Sequence, residues 1–340
     1  MPLAFLITGA TGNQGSAVIN ALLAQELDVE ILAVTRNPHS SASRRLTQRS
    51  AQIKLVQGDL DHPAQIFENA KKLATLPISG VFSVQNPFAQ GQGVLKEEHQ
   101  GKALIDEALA QHIPHFVYSS VDRGGDASSD NPTTIPHFRS KHRIEQHLFT
   151  RTREAEIQAA TTTAAADANN TTATPTTTTT TAAAAAATGA MTWTVLRPTF
   201  FFENLAPTAG FAGKVTATAW DAYLQGKPLQ CVSVSDVGYF AAMALVRAAQ
   251  FRNQCLSLAG DDLTYEHLQR TVRAKTGRPL PTTYRVLCYL VLWVMGDPRT
   301  MFTWFYDQGY GADIPRLRKL YPGLKNLDGW LEESEWVKKP

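Results

Sequence analysis

The sequence predicts an α/β protein, a doubly wound parallel sheet followed by a smaller C-terminal α+β domain. Three observations carry this. Over residues 1–158, short β-branched runs alternate with segments of helical periodicity, the pattern of parallel strands joined by crossover helices. A glycine-spaced turn lies between the first run and the first helical segment. After residue 204 the alternation loosens into shorter, mixed elements.

In order, strands are expected at 4–8, 30–35, 53–56, 80–84 and 115–119, and helices at 15–25, 64–73, 95–111 and 140–156. Residues 159–190 are almost entirely Thr and Ala, too poor in apolar bulk to offset the entropy of ordering, and read as a disordered surface insert in a crossover. A modified or partner-binding tether is the other reading of this tract. A strand at 191–198 resumes the sheet domain, which thus comprises 1–158 and 191–204. The second domain, 205–340, reads as the substrate or partner side. It has a strand at 231–234, a helix capped by Ser235 and Asp236 through 250, a strand at 255–258, a helix capped by Thr264 through 275, and a helical tail at 313–336 broken at Pro322.

Lys and Arg number 32 against 30 Asp and Glu, a formal net charge of +2, so no strong field favours nucleic acid or anionic lipid. Cys231, Cys255 and Cys288 are widely spaced, which fits neither a disulfide framework nor a zinc site and points to a reducing compartment. The apolar start runs straight into a glycine turn without a basic leader, so it reads as a strand and not as a signal peptide. The uncharged run 286–296 falls short of the roughly 18 residues a membrane span needs and reads as a buried helix or an oligomer contact. The expectation is a cytoplasmic protein, or a nuclear one if it regulates, with no membrane and no direct nucleic-acid contact.

The strongest local signal is Thr8-Gly9-Ala10-Thr11-Gly12-Asn13-Gln14-Gly15. Gly9 permits a tight turn, Gly12 lets backbone approach a pyrophosphate, Gly15 lets helix and strand pack closely, and the helix N-terminus offers N–H donors to an anion. In its strand–loop–helix setting this is the dinucleotide-binding fingerprint of a Rossmann-type sheet. At the end of the second strand an NAD site usually carries an acid; this chain has Thr35-Arg36-Asn37-Pro38. A guanidinium there can pair with a 2′-phosphate, which favours NADP(H) over NAD(H), although a solvated strand-end Arg is the plain alternative. In Gly58-Asp59-Leu60-Asp61, Asp59 reads either as an adenine contact or as the N-cap of the following helix.

With these residues in hand, the chain resembles the NmrA-like family of atypical short-chain dehydrogenases. The matching motifs include the glycine loop, Thr35-Arg36-Asn37-Pro38, Val84-Gln85-Asn86-Pro87, Gln100-Gly101-Lys102, Tyr118-Ser119-Ser120-Val121, His137-Phe138-Arg139-Ser140-Lys141, Leu196-Arg197-Pro198, Phe201-Phe202-Glu203-Asn204 and Ser233-Val234-Ser235-Asp236. The resemblance implies a Rossmann domain with a smaller C-terminal domain, binding NADP(H). It further implies that Gly9, Ala10, Thr11, Gly12, Asn13 and Gln14 hold the pyrophosphate, Arg36 the 2′-phosphate and Asn86 the nicotinamide side, with Gly15 and Asn37 also among the cofactor-binding residues. Lys141 would hold the ribose, and Phe201, Phe202, Glu203 and Asn204 would line the nicotinamide pocket. Where relatives often place a basic residue before the Gln-Gly-Lys turn, this chain has His99 beside Glu97 and Glu98.

Ordinary short-chain dehydrogenases place Tyr and Lys at i and i+4 on the helix after the fifth strand, where Lys lowers the Tyr pKa. Here the Lys is Lys141 and the Tyr is replaced by His137. His137 reads either as a proton donor that titrates near neutrality or as a packing residue after Pro136. The literal Tyr-x-x-x-Lys matches at Tyr223 and Tyr321 lie beyond that helix and are taken as chance. Two function classes follow. One is an NADP(H)-dependent reductase of a small carbonyl, imine or quinone, with His137 and Lys141 as candidate catalytic residues. The other is a non-catalytic NADP(H) sensor or transcriptional co-regulator acting on a protein partner. The missing Tyr favours the sensor, and the aromatic run Phe200-Phe201-Phe202 favours the enzyme. A homodimer is one option for either. No metal site is expected, because the histidines lack companion ligands.

Overall fold

The computed structural model describes residues 2–88, 93–168 and 190–337. Its strands are β1 (Leu3–Ile7), β2 (Val29–Thr35), β3 (Ile53–Gln57), β4 (Ile78–Ser83), β5 (His115–Ser119), β6 (Thr192–Pro198), β7 (Phe200–Phe201), β8 (Leu229–Val232), β9 (Gln254–Leu258) and β10 (Asp261–Leu263). A seven-stranded sheet has the order β3-β2-β1-β4-β5-β6-β9. The pairs β1–β2, β2–β3, β1–β4 and β4–β5 are parallel. The order therefore reverses at β1 and β4, the switch point outside which open α/β sheets hold their ligands.

The first five helices are α1 (Asn13–Leu23), α2 (Ser41–Thr47), α3 (Pro63–Leu73), α4 (Val94–Ala110) and α5 (Pro136–Ala168). α2 is unforeseen because its polar sequence has no apolar period; Ser40 starts it by accepting a hydrogen bond from the Ser43 amide at 3.1 Å. α5 extends past the expected end at 156 and takes in the first ten residues of the Thr/Ala tract, where alanine is the strongest helix former. Of the tract expected to be disordered, residues 169–189 lie outside the described residues.

The later helices are α6 (Gly210–Leu224), α7 (Val234–Val246), α8 (Ala248–Phe251), α9 (Tyr265–Thr276), α10 (Arg285–Met295), α11 (Asp297–Asp307), α12 (Ile314–Leu320) and α13 (Leu327–Glu333). α7 starts at Val234, so Ser235 and Asp236 lie in its first turn and not at the cap. The Ser233 hydroxyl instead accepts from the Ser235 amide at 3.2 Å. Thr264 caps α9 as expected, accepting from the His267 amide.

The chain clusters into two compact units: Met1–Tyr118 with Arg143–Val195 and Ala241–Gln254, and Ser119–His142 with Leu196–Phe240 and Cys255–Pro340. In the first, every residue of β2 is buried, as expected for a strand covered on both faces. In the second, a three-stranded sheet of order β10-β8-β7 lies with an aromatic core in which Phe200 meets Trp220 edge-on at 5.6 Å and Phe302 meets Phe305 at 5.5 Å. Each such ring removes apolar surface worth about 1.5–3 kcal/mol from water. Tyr118, on β5, is fully buried core, as its strand position predicts.

Candidate functional site

The predicted site residues are distributed over both units. In the first unit, β1 ends at Ile7 and the chain turns through Gly9, whose φ of +59° a side chain would disfavour. The Gly12 amide donates to the Gly9 carbonyl at 2.9 Å, closing the turn. A Cβ on Gly15 would lie 2.3 Å from that same carbonyl oxygen, so helix and loop meet at a distance only glycine allows. A Cβ on Gly9 would lie 2.8 Å from Val84 just after β4, while the Val84 amide donates to the Thr8 hydroxyl at 3.0 Å. The loop is thus fastened to both strands of the switch point. Gly9, Thr11, Gly12 and Asn13 are exposed, Gln14 is half-buried, and Ala10 and Gly15 are buried. Gly12 is the N-cap of α1 and no side chain caps this terminus, which leaves a backbone surface with positive partial charge.

Arg36 is exposed immediately after β2 and makes no hydrogen bond or ion pair with any described residue. Asn37 is used by its own turn: its side chain accepts from the His39 amide at 2.9 Å and its carbonyl from the Ser43 hydroxyl at 2.8 Å. Asp59 is not an N-cap, because His62 occupies that position for α3; instead its carboxylate accepts from the Asp61 amide at 3.1 Å. Asp61 is held by Lys96 at 2.7 Å and Gln100 at 2.7 Å, which keep its carboxyl below the usual range. Asn86 is exposed and folds its own turn, accepting from the Phe88 amide at 2.9 Å. His99 is exposed, and the neighbouring Glu98 pairs with Lys102 and Arg143.

In the second unit, the loop that leads from β5 into α5 is built on two charged residues the motif reading passed over. Asp122 accepts from the amides of Gly124, Gly125 and Gly311 at 2.9 to 3.2 Å. Arg123, fully buried, donates to the carbonyls of Val121, Ser128 and Asn131 at 2.7 to 2.9 Å. A guanidinium that satisfies three backbone carbonyls fixes the loop, and with it the start of α5. A run of charge followed by two glycines before a helix was the available signal.

His137 and Lys141 stand one turn apart on α5. His137 is buried, and its ring meets Phe138 edge-on at 4.8 Å. Burial, with the Lys141 charge adding to it, pushes its pKa down to about 4, so the ring is neutral at pH 7. A neutral imidazole is a poor acid, so this burial weighs against the proton-donor reading of His137 and agrees with the packing one. In the aromatic motif, Phe202 is fully buried and stacks on Trp330 at 5.3 Å. Glu203 accepts from the Ser233 hydroxyl, the Val234 amide and the Trp330 indole at 3.1 to 3.3 Å. Phe202 thus belongs to the interior of the unit, while Glu203 is half-buried and held by these three donors. Phe201 is half-buried and Asn204 exposed.

The two chance Tyr-x-x-x-Lys matches are structural: Tyr223 packs on Tyr289, Lys227 lies 3.7 Å over the Tyr306 ring, and Tyr321 stacks on Tyr239 at 3.6 Å. A cavity of about 180 Å³ in this unit is lined by Ser129, Arg197, Cys255, Ser257, Asp313 and Arg316 among others, and contains none of the residues expected to bind the cofactor or catalyse. Among the described residues, no helix is long and apolar enough to cross a membrane.

A family model described as the NmrA-like family matches residues 4–331. The chain belongs to the NmrA-like family. Among curated proteins, the NmrA-like family domain-containing oxidoreductase FrzB of Cladobotryum sp. is 31% identical over 155 residues, 43% of this chain and 42% of that protein. The chain thus aligns with less than half the length of that relative. Among solved structures, the Citrobacter sp. triphenylmethane reductase complexed with NADP(H) superposes with a TM-score of 0.65 at 15% identity, covering 97% of this chain and 99% of the other. The NADPH-dependent quinone oxidoreductase QOR2 of Escherichia coli, complexed with NADPH, gives 0.61 at 16%, again over 97% and 99%. At such identities these likenesses establish that this NmrA-like chain shares their fold.

Proposed function

We infer that this NmrA-like chain is an NADP(H)-dependent oxidoreductase that reduces a small carbonyl, imine or quinone. The observation that carries the reading is the turn from Gly9 to Gly15. It leaves a backbone cradle that a Cβ would fill, at the uncapped start of α1 and beside the switch point. A pyrophosphate fits such a cradle through backbone N–H donors. Arg36, free of any described partner, would fork onto the 2′-phosphate that separates NADP(H) from NAD(H). The triphenylmethane reductase and QOR2, similar in fold, were crystallised with this cofactor class, which supports the same reading here.

When bound, the cofactor supplies a hydride to the substrate. The chain's own residues bind and orient. Lys141 holds the ribose, Asn86 marks the nicotinamide side, and Phe201 with Asn204 offer accessible side chains to the ligand. His137 stays neutral through burial beside the Lys141 ammonium, so the balancing proton comes from solvent. The reading is tested by NADPH oxidation against carbonyls, imines and quinones, with parallel NADPH and NADH binding titrations; a protein that binds NADPH without turnover would instead be a sensor.

A further inference from the structure

Helix α10 is apolar all round yet only partly covered. Between Val286 and Met295 it has no charged residue. Its inward side buries Cys288 and Leu292 in the second unit's core, where α10 packs on α6 and α11. Outward, Val286, Leu290, Trp293 and Val294 are all more than half exposed, Val286 above 80%, and Leu287 and Tyr289 beside them are more than a third exposed. A helix hydrophobic on every side is normally an interior helix. For residues of ordinary size these exposures amount to roughly 700 Å². That exceeds the largest apolar patch of a typical monomer, about 300–600 Å². It approaches the roughly 800 Å² that each partner contributes to a standard protein interface.

We propose that this outward face of α10 is the contact between two copies of the chain in an isologous homodimer. Val286, Leu290 and Trp293 stand at i, i+4 and i+7, the spacing with which one helix presents a seam of knobs to another. Two-fold pairing brings the same stripe against itself, and an uncharged stripe meets its copy without like-charge repulsion and without stranding a charge. The one basic or acidic residue of α10, Arg285, is already paired with Asp221 at 2.7 Å. A membrane fits less well. Eleven residues rise only about 16 Å, half a hydrocarbon core. Helices that lie in the lipid interface carry free Lys and Arg to meet anionic headgroups, and α10 offers none.

Sedimentation velocity of the full chain at micromolar concentration tests this, with circular dichroism as the folding check. The wild type is expected at twice the chain mass of 37.2 kDa. The double variant Leu290→Glu/Trp293→Glu is expected at the single mass with an unchanged spectrum, and Val286→Lys serves as the second variant should the double one misfold. A monomeric wild type would overturn the proposal, as would a dimer that survives a folded variant. Monomeric wild type that floats with phosphatidylserine-containing vesicles would put lipid where the second copy is proposed. The proposal stands apart from the cofactor reading, since it can fail while NADPH binding is intact.

Discussion

The carbonyl oxygen of Gly9 lies 2.3 Å from where a Cβ on Gly15 would be, while the same oxygen already accepts the Gly12 amide at 2.9 Å. Three glycines thus converge on one peptide group, and each supports the next. Gly15→Ala must push α1 off the loop against backbone, which cannot rotate away as a side chain can. The expected outcome is a loss of roughly 1–3 kcal/mol in stability and at least a tenfold weaker NADPH affinity, read by thermal melts and fluorescence titration. Gly12→Ala, whose Cβ would lie 3.3 Å from the Gly9 oxygen, needs a smaller shift and is expected to perturb folding less.

Arg36 supplies specificity and not fold. It has no described partner to strand, so Arg36→Ala is expected to leave the melting temperature unchanged. Loss of a charge-assisted pair worth about 1.5–3 kcal/mol predicts a roughly tenfold to hundredfold rise in Kd for NADPH with little change for NADH. Equal losses for both cofactors would remove the 2′-phosphate assignment.

With a pKa of about 4, His137 is neutral throughout the range in which enzymes are ordinarily assayed. The pH profile of kcat is therefore expected to carry no break from His137 between about pH 5.5 and 8, and His137→Gln is expected to keep turnover within tenfold of wild type. A break near neutrality that His137→Gln abolishes would restore the histidine as the acid.

Asp236 links pH to stability. Burial drives its pKa up to about 7, with Glu203 and Glu333 adding to the rise, although its carboxylate accepts from the Lys325 amide at 3.1 Å and lies near the Lys325 charge. A raised carboxyl binds its proton more tightly in the folded state than unfolded. Its burdened ionised form therefore destabilises the protein fully above about pH 7, and that burden is relieved as pH falls toward the ordinary carboxylate range. Asp236→Asn is expected to stabilise the protein relative to wild type by about 1 kcal/mol or more on going from about pH 5.5 to 8.5, read from denaturant midpoints. A difference that does not change with pH would contradict the assignment.

The sheet and its glycine turn were legible because parallel strands need β-branched runs and the glycine spacing is local to one turn. α2 was not, since its seven residues, five of them polar, carry no apolar period and depend on a Ser40 cap. The role of Asp122 was hidden for a different reason: the Gly311 amide that completes its set is 189 residues away. In Phe201-Phe202-Glu203-Asn204 the motif named four residues, but only the packing of Trp330 decides that Phe202 and Glu203 turn inward. Composition alone marks the Thr/Ala tract, and composition does not register that α5 propagates into its alanines.

The most direct test of the central claim is NADPH oxidation by the purified chain across carbonyls, imines and quinones, alongside Lys141→Ala and Arg36→Ala. Saturable turnover is expected with at least one class, with a preference for NADPH over NADH that Arg36→Ala erases and loss of turnover in Lys141→Ala. Absence of NADPH binding by a folded protein would contradict the central claim outright, and tight binding with no oxidation across the panel would contradict its catalytic half.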